Sequence, residues 1–150
     1  MSRRVVVLGF EGYQELHVWY PVLRLREEGD EVVLAGPDGV SAAFGALSYP
    51  LAPQAGVSDI DASTVDLLVV AGGPGAAAAA GLDSLTKFVA QVGAAGGRVV
   101  AIAEGAGVLD AAGLSVPSAS DAVTVDGNVV IAKDADALPE LFRALTNQSS

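Results

Sequence analysis

Glu104 and His17 are the two side chains whose types and settings point to chemistry. Residues 99–107 read Val-Val-Ala-Ile-Ala-Glu-Gly-Ala-Gly, a strand-length apolar stretch that passes into a tight turn of small residues and then a helix. Such a corner holds one residue above a sheet, beside the free N–H groups of the helix start, as in a nucleophile elbow. The corner residue is Ala103, which can attack nothing. Glu104 comes next, where helix N-terminal N–H groups converge and favour the carboxylate. It is expected to be ionised and suited to act as a base. The plainer reading is an N-terminal capping carboxylate.

His17 is the only histidine of the chain, and Pro21 follows it by four residues. In a helix, Pro21 would clash with the His17 carbonyl, so a kink is expected there with that carbonyl left free. A kink at the mouth of a sheet would aim the imidazole inward. The plainer reading is a half-buried helix residue with no task. If His17 and Glu104 meet, the carboxylate would hold the imidazole tautomer and raise its basicity, giving a proton-transfer unit without a nucleophile.

These residues need a scaffold, and the hydropathy pattern supplies one. Residues 4–9, 31–35, 66–71 and 98–103 are continuous apolar runs of strand length, the pattern of a parallel sheet buried on both faces. Helices are expected over residues 13–28, with Leu16, Tyr20, Leu23 and either Trp19 or Val22 inward, and over 82–94, with Leu82, Leu85, Phe88, Val89 and Val92 inward. Residues 36–64 read as loops with one short hairpin around 44–51. A short helix ends at Ala112, 113–120 is irregular, and 123–125 pairs with 129–131 across Asp126-Gly127-Asn128 as a hairpin or paired edge strands. Residues 135–146 close the chain as a helix before a polar tail expected to fray. The expected fold is a doubly wound three-layer α/β sandwich with a mainly parallel sheet, in which Val5, Val7, Val33, Leu68, Val70, Val100 and Ile102 are buried. Ligands bind such folds beyond the carboxyl ends of the strands. The elbow, the loop after Gly9 and the Gly72–Gly75 loop all fall at that edge.

With 150 residues the chain is expected to be one domain, 1–150. A net charge of −10 disfavours nucleic acid and anionic membranes. No cysteine is present, which excludes disulfides and a thiol nucleophile, and one histidine cannot build a multi-histidine metal site within a subunit. The apolar stretch after Arg3 and Arg4 is too short for a signal segment or a membrane span, so a cytoplasmic location is the default expectation. Asp59, Asp61 and Asp66 read as a solvated loop, and Gly73-Pro74-Gly75 lacks the third glycine of a dinucleotide loop because Ala78 stands there. Neither a metal nor a cofactor is expected. Tyr13, Trp19, Tyr20 and Tyr49 are candidates to line an apolar pocket, or else belong to the core or a dimer seam.

The stretch Ala101-Ile102-Ala103-Glu104-Gly105 resembles the Ala-Ile-Cys-His-Gly motif of the ThiJ/PfpI superfamily, with alanine for the cysteine and glutamate for the histidine. Gly9-Phe10-Glu11, Trp19-Tyr20-Pro21 and residues 23–32 are similar to its first strand-helix-strand unit. Residues 66–75 are similar to its central strand and glycine loop, and 125–129 with 136–139 to its C-terminal signature. The resemblance implies a flavodoxin-like, class I glutamine amidotransferase-like fold and a homodimer. It also implies a small-molecule site that includes Glu11, Gly72, Gly73, Gly75, Ala103 and Gly105, to which Tyr13 is added as a pocket-lining aromatic, with loop glycines donating to a developing oxyanion. The family's glutamate falls on His17 when counted from Pro21, with Glu15 the rival. The region between Leu114 and Val123 is shorter than in the family. Without the cysteine, the family's thiol-dependent activities do not carry over. Two functions remain: a cofactor-free enzyme doing non-covalent cyclisation, isomerisation, hydration or elimination through Glu104 and His17, or an inactive relative that binds a ligand or partner.

Overall fold

The computed structural model describes residues 3–118 and 121–147, and for residues 146 and 147 the backbone alone. Five expected strands and one unexpected one join a seven-stranded sheet with the hairpin's outer strand. β1 (Arg4–Leu8), β2 (Glu31–Gly36), β6 (Leu67–Val70), β7 (Arg98–Ile102) and β9 (Val129–Ala132) pair in parallel, while β8 (Val123–Asp126) runs antiparallel to β9 at one edge. β5 (Ala55–Gly56) pairs in parallel with β2 at the other edge, giving the order β5-β2-β1-β6-β7-β9-β8. β3 (Ala43–Phe44) and β4 (Pro50–Leu51) form the small separate hairpin expected around 44–51.

The order reverses between β1 and β6, so the helices of the two halves fall on opposite faces of the sheet. α1 (Glu15–Glu27) joins β1 to β2 and packs with α5 (Leu138–Asn147); Tyr20 and Phe142 meet with ring centroids 5.6 Å apart. α3 (Asp83–Ala94) packs on the other face with α4 (Ala106–Ala111), which also contacts α2 (Ala76–Ala79). This is the doubly wound sandwich expected from the apolar runs. Val5–Leu8 and Leu68–Val70 are fully buried, each side chain contributing roughly 1.5–3 kcal/mol on transfer from water, so the strand ends that carry the functional loops are firmly held.

Several expectations need correction. The inward face of α1 is His17, Val18, Pro21, Val22 and Leu25; Leu16 and Leu23 are 52% and 58% exposed and Trp19 and Tyr20 are only partly buried. Two apolar stripes share this helix, and periodicity cannot say which one meets the sheet. α1 starts at Glu15, because Gln14 caps it by accepting from the Leu16 N–H, so Tyr13 lies outside it. Val33 is only partly buried, Leu82 is exposed before α3, and β9 is an inner strand while β8 is the edge. β5 has too few residues for an apolar run to announce it. The expected irregular stretch 113–120 and polar tail reach, at residues 119, 120 and 148–150, outside the described residues.

Candidate active site

The elbow forms where β7 ends. Ala103 has φ 51°, the left-handed region that alanine adopts at a cost of roughly 1–2 kcal/mol, and a single helical turn over Ala103–Gly105 leads into α4. Close approach of backbone holds this corner. A Cβ on Gly105 would lie 2.6 Å from the Val70 carbonyl oxygen and 2.8 Å from that of Ala71, so only glycine lets the turn seat against the end of β6. Gly72 is equally confined: its Cβ would meet the Ile102 carbonyl oxygen and lie 2.8 Å from Glu104 Oε1.

These contacts bring the two ionisable groups to neighbouring amides. Glu104 Oε1 accepts the Gly73 N–H at 3.1 Å, and His17 Nδ1 accepts the Gly72 N–H at 2.9 Å. Residues 87 positions apart in the chain are thus anchored on one dipeptide. Glu104 is exposed, and N–H groups of its own residue and of Gly73 hold its carboxyl below the usual range, with a smaller effect from His17. His17 is 3% exposed; burial pushes its imidazole pKa down, while the carboxylates of Glu104 and Asp134 pull weakly the other way. Glu104 is therefore an ionised acceptor beside a neutral ring.

One expectation changes here. The imidazole is ordered by the Gly72 main chain, and the carboxylate acts on it only through space. The loop glycines are likewise committed: Gly72 donates to His17, Gly73 to Glu104, and Gly75 to the Gly12 carbonyl at 2.9 Å. An oxyanion at this loop would have to displace one of those acceptors.

Glu11, Tyr13 and Glu15 are placed elsewhere. Glu11 Oε1 accepts the Phe44 N–H at 3.0 Å, and Glu15 Oε2 accepts the N–H groups of Leu47 and Tyr49 at 2.8 and 3.1 Å. Tyr13 donates its hydroxyl to the Tyr49 carbonyl at 2.9 Å and accepts from Trp19 Nε1 at 3.2 Å. All three tie the β3–β4 hairpin to the start of α1, so of the two rivals it is His17 that stands at the elbow. Glu11 and Gly75 also line a cleft of about 380 Å³ with Phe10, Asp38, Val40 and Leu82, at the carboxyl edge of the sheet. Sequence reasoning missed Asp134. It caps the turn after β9 by accepting the Ala137 N–H at 3.2 Å, and only its capping residue type before a helix could have signalled it. Among the described residues no cluster of three or more histidine, cysteine, aspartate or glutamate side chains could hold a metal ion, and no helix is long and apolar enough to cross a membrane.

The buried ring makes stability depend on pH. The folded-state pKa of His17 lies below the unfolded value of about 6.5, so the unfolded chain binds more protons as the pH falls. The contribution is whole above about pH 6.5 and is lost as the pH drops through the folded-state pKa. Melting temperature is expected to fall more steeply between about pH 7 and pH 5 in the wild-type protein than in His17→Asn; equal slopes would show that the ring is not held neutral.

Residues 3–120 match the model of the DJ-1/PfpI family. A DJ-1 superfamily protein of Salmonella typhimurium, solved as a cysteine-to-alanine mutant, is 24% identical with a TM-score of 0.86, over 97% of this chain and 89% of that one. Drosophila melanogaster DJ-1beta is 22% identical with a TM-score of 0.83, over 93% and 86% of the two chains. Oxidised DJ-1 of Toxoplasma gondii is 20% identical with a TM-score of 0.84, over 99% and 93%. At these identities the likeness concerns the fold. No curated protein sequence matches.

Proposed function

The chain belongs to the DJ-1/PfpI family, and on that premise we propose that it is an enzyme acting on a small organic substrate by non-covalent acid–base catalysis, with Glu104 as base and His17 as its partner. The observation that supports this reading is the anchoring of both groups on the consecutive Gly72 and Gly73 amides beside an elbow whose corner residue is alanine. A corner without a thiol has no thiol-based covalent step, whereas a carboxylate held ionised in a fixed place can take a proton. Cyclisation, isomerisation, hydration and elimination can each proceed through such a transfer.

Proton abstraction leaves an isotopic trace. Small carbonyl compounds and unsaturated acids incubated with the protein in deuterium oxide are expected to include one whose carbon-bound hydrogen exchanges faster than in buffer, with that gain lost in Glu104→Gln. Exchange that is nowhere accelerated, or an unchanged rate in Glu104→Gln, would overturn the proposal.

The second reading, an inactive relative that binds a ligand or partner, is favoured by the way Glu104 is already satisfied by N–H groups, as a capping carboxylate would be. Ligand binding by the wild type with no accelerated exchange in any compound, and equal binding by Glu104→Gln, would select it.

Either reading is compatible with a homodimer. Leu16, Leu23, Leu47 and Tyr49 are between 52% and 78% exposed, and Leu16, Leu23, Trp19, Tyr49 and Glu15 line one largely apolar cleft on the outer side of α1. Glu15 Oε1 is buried there with no hydrogen-bond partner among the described residues. A second copy of the chain would cover the exposed leucines. Light scattering is expected to give the mass of two chains for the wild type and of one for Leu23→Glu. A wild-type monomer at micromolar concentration would contradict the assembly.

A further inference from the structure

We propose that His17 serves as a neutral Nε2–H donor beside the Glu104 carboxylate, and that the pair acts on a compound whose reactive C–H lies between two carbonyl groups, passing through its enolate. The inference rests on the acid–base reading of the elbow and narrows it to one substrate class.

The argument begins with a single hydrogen bond. The Gly72 N–H donates to His17 Nδ1 at 2.9 Å in buried surroundings. A ring nitrogen that accepts carries no proton, so the neutral imidazole must carry its proton on Nε2. Burial works against a second proton. His17 is therefore neither a base, since its lone pair is occupied, nor an imidazolium acid. What it offers is an N–H, the group that stabilises negative charge growing on an oxygen.

Glu104 sets the other half. Its carboxylate is stabilised by main-chain N–H groups, which makes it a weak base. A weak base in a fixed position removes a carbon-bound proton most readily when the carbon is already acidified, since proton-transfer efficiency follows the match of the two acidities. Two flanking carbonyl groups provide that acidity, and one carbonyl oxygen becomes the acceptor for Nε2–H.

The step balances without any further reactant. A Glu104 oxygen takes the proton from the carbon between the carbonyls, the C–H electron pair becomes the new C=C bond, and the carbonyl π pair moves to oxygen. The enolate oxygen accepts a hydrogen bond from Nε2–H, whose proton stays on nitrogen. The Glu104 carboxylic acid then returns the proton to oxygen or carbon, so the net change is an isomerisation with no change of oxidation state.

Because His17 is the sole histidine, its tautomer can be read directly from nitrogen chemical shifts of the ¹⁵N-labelled protein near neutral pH. Nδ1 is expected in the unprotonated range and Nε2 in the protonated one. A proton on Nδ1, or on both nitrogens, would overturn the proposal and leave the role of Glu104 standing. Function is tested with acetylacetone, whose enol is followed by ultraviolet absorbance after dilution into buffer. Catalysed interconversion is expected for the wild type. It should fall about a hundredfold in Glu104→Gln and also in His17→Asn, whose amide oxygen can keep the Gly72 bond but offers nothing at the Nε2 position. Wild-type rates in His17→Asn would mean a purely structural ring. No effect on acetylacetone, with Glu104-dependent exchange on a different compound, would overturn the substrate class while sparing the acid–base reading.

Discussion

Turnover is expected to fall about a hundredfold or more in Glu104→Gln, while ligand affinity changes little. The substitution keeps the shape of the side chain, and its amide oxygen can still accept the Gly73 N–H that Glu104 Oε1 accepts now at 3.1 Å. The elbow should therefore stay in place. What disappears is the proton acceptor, so the loss falls on the rate constant and not on binding. Separate measurement of kcat and KM on any compound that exchanges deuterium decides the matter: a fall in kcat alone marks a base, and a rise in KM alone marks a binding contact.

The second large effect concerns the corner that holds these groups. Gly105→Val is expected to destabilise the protein by about 1–3 kcal/mol, because the new Cβ would press on the carbonyl oxygens of Val70 and Ala71, 2.6 and 2.8 Å away. Those are backbone atoms at the end of β6 and cannot swing aside as a side chain would. Relief requires shifting the strand end that carries Gly72 and Gly73, so activity should fall with stability. The expected drop in Tm is roughly 3–10 °C for a chain of this size. Gly107→Ala is the control, since nothing lies within 4 Å of a Cβ there. An alanine in that helix should leave Tm unchanged or raise it slightly. Equal effects of the two substitutions would contradict the account of the corner.

Much of this arrangement was legible in the residues themselves. Runs such as Val5–Leu8 and Leu67–Val70 are apolar on every residue, and a strand buried on both faces is the structure that uses them, so the sheet and its parallel pairing followed. The elbow was legible too, because an apolar strand that meets Ala103-Glu104-Gly105 has room to turn sharply. The lie of α1 was not. Leu16 and Leu23 are as apolar as Val18 and Leu25, yet the first two face outward, and only the placement of the sheet separates the stripes.

The site was partly legible for a related reason. Residue types marked Glu104 and His17 as the candidates for chemistry, but their partners are the N–H groups of Gly72 and Gly73, and main-chain donors have no residue type. Glu11 and Glu15 misled in the opposite sense. Their carboxylates looked like site groups and instead hold the Phe44, Leu47 and Tyr49 amides of the hairpin.

If Glu104 and His17 work as one unit, their losses cannot add. The decisive measurement is the turnover of wild-type protein, Glu104→Gln, His17→Asn and the double variant on one exchanging compound. The account predicts that each single change costs about as much as the pair together, so the double variant is no slower than the slower single by more than a few fold. Losses that multiply in the double variant, or a wild-type rate in either single one, would contradict it.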